Sequence, residues 1–125
     1  FERLGLKKTL LGVDVLFGKG LLAADVNESQ ILKLISGKKA KIVVSVIGGQ
    51  GFLFGRGSQQ ISPDVIRKVG RENIIVVATP DKLASLRGAP LLADTGDAEV
   101  DAMLDGYVNV VTGYGRRVTY RVKSP

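Results

Sequence analysis

Five of the ten residues from Gly48 to Gly57 are glycine, and no other feature limits the fold of this chain as much. Each glycine costs a helix interior roughly 1 kcal/mol relative to alanine. Within this stretch no helix is therefore expected before the start signal at Ser62-Pro63-Asp64, where a capping hydroxyl, a proline at the first helical position and an acidic first turn coincide. Upstream, "KAKIVVSVIGG" is rich in β-branched residues and predicts a strand, and its nearly all-apolar run Ile42–Val46 predicts a central one. The glycines then serve one of two purposes. They permit tight turns in a bulged strand pair, or they let the backbone approach a flat, phosphorylated ligand closely. In the second case Arg56 would meet a phosphate, and Gln59 and Gln60 would read donor and acceptor groups.

Two familiar phosphate motifs do not fit. A P-loop needs Gly-Lys followed by Ser or Thr, and the stretch has none. A dinucleotide fingerprint needs its third glycine at a helix opening, whereas Gly49-Gln50-Gly51 is followed by Phe52-Leu53-Phe54 and only then by Gly55.

The remaining elements follow from local signals. Thr9–Val26 reads as two strands around a turn at Gly18-Lys19-Gly20. Asn27 as N-cap with Gln30 three residues on predicts a capping box and a helix ended by Gly37. "NIIVVA" reads as a buried strand, Thr79-Pro80-Asp81 as another helix start ended by Gly88, and "PLLAD" as a short strand. "DAEVDAMLDG" suggests a helical turn or two, and "YVNVVTGYGRRVTYRV" a hairpin turning at Gly113 and Gly115. The expected fold is one α+β domain over residues 1–125, β-rich and sandwich-like, with three to four short helices and a C-terminal hairpin that argues against a purely parallel sheet.

Composition narrows the chemistry. With no cysteine and no histidine, disulfides, thiolate catalysis, Ser-His pairs and the commonest transition-metal ligand are excluded. No apolar run is long enough to span a bilayer, and a cytoplasmic location is expected. The chain begins at Phe1, and its one methionine is Met103, so it reads as a piece of a longer protein. The net charge of +6 attracts phosphates of any kind, but the few aromatics do not interleave with a basic stripe, and nucleic acid is not expected as a partner. Asp94, Asp97, Glu99, Asp101 and Asp105 form a window without a base. It suits a turn before the hairpin better than a Mg²⁺ site. Arg116 and Arg117 read as solvated turn residues.

The string "IGGQGFLFGRGSQQISPDVI" resembles the glycine-rich segment in the C-terminal domain of ATP-NAD kinase-like proteins, above all the inorganic polyphosphate/ATP-NAD kinase branch. The resemblance continues through "ENIIVVATPDKLASL", "PLLADTGD" and "GYVNVVTGYGRRVTYRV", from about Lys38 onward. Diacylglycerol and sphingosine kinases carry a comparable element. The resemblance implies a two-domain kinase in which an N-terminal domain holds ATP with a Gly-Gly-Asp-Gly signature, and a β-rich C-terminal domain presents the acceptor, the ribose 2′-hydroxyl of NAD.

On that basis no catalytic residue and no metal ligand is expected in these residues, because the Gly-Gly-Asp-Gly signature is not among them. ATP and Mg²⁺ belong to the full enzyme, and a homo-oligomer is implied. The implied substrate-contact segment is Gly49, Gln50, Gly51, Phe52, Gly55, Arg56, Gly57, Ser58, Gln59 and Gln60. Two features depart from the usual pattern. The Asn-Glu pair that holds the NAD ribose in the family has its only counterpart in Asn27-Glu28, which reads as a helix cap. The usual Gly-Ser-Thr-Ala-Tyr string is replaced by Gly49-Gln50-Gly51-Phe52-Leu53-Phe54. A kinase with another hydroxyl acceptor, a non-catalytic polyanion-binding module and an oligomerisation domain remain open at this stage.

Overall fold

The computed structural model describes residues 15–17, 20–23, 26–37, 39–46, 49–55 and 60–124. The first strand pair is present as β1 (Val15–Phe17) and β2 (Gly20–Ala23), antiparallel with Phe17 opposite Gly20. The turn residues Gly18 and Lys19, and the stretch before Val15, lie outside the described residues. Then come α1 (Glu28–Ile35), β3 (Ile42–Ser45), β4 (Phe52–Phe54), α2 (Pro63–Val69), a 3₁₀ turn at Arg71–Asn73 and β5 (Ile74–Val77). The chain continues with α3 (Pro80–Ser85), β6 (Leu91–Ala93), α4 (Ala98–Leu104), β7 (Gly106–Gly113) and β8 (Arg116–Lys123). This is the strand-rich α+β class with short helices and a C-terminal hairpin.

The helices start where the sequence signals them. Asn27 Oδ1 accepts the Gln30 amide while Gln30 Oε1 accepts the Asn27 amide, both at 2.9 Å, a reciprocal capping box. Ser62 and Thr79 cap α2 and α3 through Val65 N and Lys82 N, each with proline at the first helical position. Helices this short are marginal alone. Packing holds them: Val65, Ile66 and Val69 of α2, Leu83 of α3, and Val100 and Leu104 of α4 all join one buried core. Fully burying such a side chain contributes about 1.5–3 kcal/mol.

Strands β3 to β8 form one six-stranded sheet in the order β3-β5-β7-β8-β6-β4. Every neighbouring pair is parallel except the β7–β8 hairpin. The expectation that β3 is central fails: it lies at one edge and β4 at the other. A β-branched run reports which face is covered, not how many neighbours a strand has. In β3, Ile42 is buried against the core while Val43, on the opposite face, is 51% exposed. Exposed Lys39 and Lys41 flank this edge, a common guard against edge-to-edge pairing.

The two edge strands are consecutive in the chain, and that dictates the sheet's shape. The Val46 amide still donates to Val77 O, and Gly51 O already accepts the Leu92 amide. Five Cα steps reach at most about 18 Å, yet six flat strands would hold the edges about 24 Å apart. The sheet therefore curls until β3 and β4 approach each other, nearly closing a barrel around the core. Strands β3, β5 and β7 run one way, and β8, β6 and β4 the other. Gly49–Gly51, Ala78-Thr79 and the hairpin turn consequently share one end, here the upper. Gly55, Gln60, Arg71, Asp94–Asp97 and Asp105 share the lower end, where α2 and α4 connect strand to strand.

Candidate functional site

The described part of the glycine-rich segment runs along β4 from one end of the sheet to the other. Its first glycines lie at the upper end and its last described residue at the lower end, with β4 between them. Gly49 and Gln50 are exposed. Gly51 is buried with φ +80°, and a Cβ there would stand 3.0 Å from Leu86 Cδ2. Phe52 is half-buried, and Leu53 and Phe54 enter the core. Gly55 is half-buried with open space where a Cβ would project. Arg56, Gly57, Ser58 and Gln59 lie outside the described residues. Gln60 resumes the chain, half-buried, three residues before α2.

At Gln60 the lower end opens into a cleft of about 400 Å³ lined by Asn27, Glu28, Ser29 and Gln60 among the described residues. The cleft is shallow and open to solvent on its outer side. The N-terminus of α1 forms one wall and the approach to α2 the other, and the two helices touch. The sequence reading of Asn27 as a cap is correct, and the same residue also lines the cleft. Its Oδ1 is committed to the Gln30 amide, which leaves the two Nδ2 donors for a ligand. Glu28 is half-buried and takes part in no ion pair among the described residues. The assembled groups are acceptor-only at Glu28, donor at Asn27, and both at Ser29 and Gln60. The described lining holds no cation. The Asn-Glu dipeptide was the available signal for this wall; its meeting with Gln60 is a product of tertiary packing.

The acidic window forms a turn and a helix cap. Asp97 caps α4, its Oδ1 accepting the Glu99 amide at 3.0 Å and the Val100 amide at 3.2 Å. Its Oδ2 receives Arg67 Nη2 at 2.6 Å. The Val100 amide and then Arg67 hold the Asp97 carboxyl below the usual carboxylate range, and the bond to Asp97 raises Arg67 in turn. Asp101 Oδ1 accepts both the Thr95 amide and Thr95 Oγ1, and Asp105 pairs with Arg121 at 2.7 Å. Among the described residues no three carboxylates converge on a metal position, and these three are already engaged. The described donors do not fit a Mg²⁺ site. Arg116 and Arg117 are exposed beside the hairpin turn.

A curled, mostly parallel sheet with a polar depression at its lower end defines the class: a strand-rich α+β domain. The family comparison makes this specific. The profile of the ATP-NAD kinase C-terminal domain matches residues 2–122, and the chain belongs to that family. No curated protein and no solved structure matches the chain. No helix among the described residues is long and apolar enough to cross a membrane.

Proposed function

We propose that this chain is the acceptor-side domain of an ATP-NAD-kinase-like phosphotransferase, binding NAD so that its ribose 2′-hydroxyl is phosphorylated to NADP. Family membership supports the kinase class. The observation that carries the acceptor role is the polar set around the lower cleft. Glu28 offers acceptor oxygens to hydroxyls, Asn27 offers amide donors, and Ser29 and Gln60 offer both. Glu28's acceptor oxygens beside amide and hydroxyl groups suit a hydroxyl-rich part of the ligand, a ribose or a base edge.

The phosphates then fall to Gly55, Arg56, Gly57, Ser58 and Gln59, where backbone amides and one guanidinium suit them. Gly49, Gln50, Gly51 and Phe52 complete the contact segment from the other end of β4. The phosphoryl donor, ATP or polyphosphate, is assigned with Mg²⁺ to a separate ATP-binding domain carrying the Gly-Gly-Asp-Gly signature. We place the enzyme in the cytoplasm as a homo-oligomer.

The test is NADP formation from NAD by the complete polypeptide with ATP and Mg²⁺. Glu28→Gln should raise the KM for NAD about tenfold or more and leave the KM for ATP unchanged. ATP turnover without NADP would keep the kinase class and replace NAD by another hydroxyl acceptor. Salt-sensitive binding to any polyanion, with no turnover, would replace the enzyme by a binding module.

A further inference from the structure

We propose that Arg67 is a positioning residue for the lower cleft: through Asp97 it sets the distance between Gln60 and the Asn27–Glu28 wall. This rests on the cleft being the acceptor site. Arg67 leaves α2 and reaches three carboxylates, Asp97 at 2.6 Å, Asp64 at 3.3 Å and Glu99 at 3.7 Å. Asp64 is on the same helix, but Asp97 and Glu99 belong to the start of α4. The contacts to Asp97 and Glu99, Asp97's the shorter, therefore tie two helices that otherwise pack through the core among the described residues.

The anchor at the far end is itself held in place. The Asp97 amide donates to Thr95 Oγ1 at 3.2 Å, and Thr95 Oγ1 donates to Asp101 Oδ1 at 2.7 Å. Each oxygen of Asp97 has a separate task, Oδ1 on the α4 amides and Oδ2 on Arg67. The acidic window is thus a bracket bound to the end of β6, and Arg67 fastens α2 to it.

The consequence for the cleft follows from the length of α2. Val65, Ile66 and Val69 fix the face that the helix turns to the core, but apolar contacts are non-directional and permit small sliding of packed helices. A helix of two turns transmits such a slide to the residues leading into it. Those residues are Gln60, Ile61 and the buried cap Ser62, and Gln60 is the cleft's second wall. A directional, forked contact at Arg67 removes that freedom. Lysine keeps the charge but cannot present the planar fork to several carboxylates at once.

The experiment compares wild type, Arg67→Lys, Arg67→Gln, Asp97→Asn and the double variant Arg67→Gln/Asp97→Asn in the complete polypeptide. Hydrogen exchange at residues 60–65 is measured beside the kinetics. Arg67→Gln should raise the KM for the nucleotide acceptor about tenfold, with kcat within about twofold and the KM for ATP unchanged. Arg67→Lys should fall between wild type and Arg67→Gln. The double variant should be no worse than either single one, because both remove the same contact. Faster exchange at residues 60–65, with unchanged exchange in β5, should accompany the loss. Lower thermal stability with an unchanged acceptor KM and unchanged exchange at Gln60 would reduce Arg67 to a structural ion pair and overturn the proposal. If wild type phosphorylates no acceptor yet exchange at residues 60–65 responds as described, the acceptor reading fails and the clasp stands.

Discussion

Gly51 and Leu86 meet at the upper end of the sheet so closely that a side chain at Gly51 would press on Leu86. A Cβ on Gly51 would lie 3.0 Å from Leu86 Cδ2 and 3.2 Å from Leu86 Cδ1, and its φ of +80° is itself unfavourable for any other residue. Leu86 is buried after α3, and Gly51 O accepts the Leu92 amide, so neither partner can retreat freely. The fold itself needs a glycine at this position of the rich run. Gly49, two residues earlier, has nothing within 4 Å of a built Cβ.

The pair gives a test that separates folding from binding. Gly51→Ala should destabilise the protein by about 1–3 kcal/mol, read by denaturant unfolding. Gly49→Ala should change stability by less than about 0.5 kcal/mol. If Gly49 belongs to the contact segment, Gly49→Ala should nonetheless weaken acceptor binding. Unchanged binding would remove Gly49 from the proposed site.

A second prediction concerns pH. Asp97 is held below the ordinary carboxylate range in the folded protein, first by the Val100 amide and then by Arg67. Its contribution to stability is therefore present above the unfolded value of about 3.9 and is lost as pH falls through the folded value. Asn is also a good N-cap, so Asp97→Asn isolates the Arg67 contact. Thermal unfolding curves of wild type and Asp97→Asn should differ most above about pH 5 and converge as the pH falls below 4. High salt should narrow the gap at neutral pH, since both side chains are partly exposed.

A third prediction addresses the caps. Ser62 is 8% exposed and its Oγ accepts the Val65 amide at 3.3 Å. Ser62→Ala should cost about 1 kcal/mol and, because Gln60 lies just upstream, should also raise the acceptor KM. Thr79→Ala removes the equivalent bond to Lys82 N at 3.1 Å. It should cost a similar amount of stability but leave the acceptor KM unchanged, because α3 lies at the opposite end of the sheet.

These comparisons also mark where sequence reasoning reached its limit. The starts of α1, α2 and α3 were legible because a cap and its amide lie three residues apart, and local chemistry alone decides them. The β7–β8 hairpin was legible from alternation around Gly113 and Gly115. The edge position of β3 was not, because alternation distinguishes two faces and says nothing about the number of neighbours. The same limit hid the glycine segment's run from one end of the sheet to the other, since only the strand order shows that β3 and β4 border the open seam. Asn27 was legible as a cap but not as a neighbour of Gln60 across one cleft, and Asp97 as a turn residue but not as the partner of Arg67. Both pairs are joined by helix packing, for which neither residue type carries a local signal.

The double role of Asn27 permits the sharpest test of the cleft. Its Oδ1 serves the helix, which leaves its Nδ2 for the proposed acceptor, so a substitution can remove one and keep the other. Asn27→Asp retains a capping oxygen and places negative charge at a helix N-terminus, where it is favourable. Stability should stay within about 0.5 kcal/mol of wild type. The cleft, however, exchanges two donors for a second carboxylate beside Glu28, and a ligand group that accepted from Nδ2 now meets an acceptor. Acceptor affinity should fall by about tenfold or more, with no change in the KM for ATP. Asn27→Ala should lose both properties, about 1 kcal/mol of stability as well as the affinity. An Asn27→Asp protein that is as stable as wild type and binds the acceptor equally well would leave Asn27 a cap only, and the ligand would have to be sought along Gly55–Gln59.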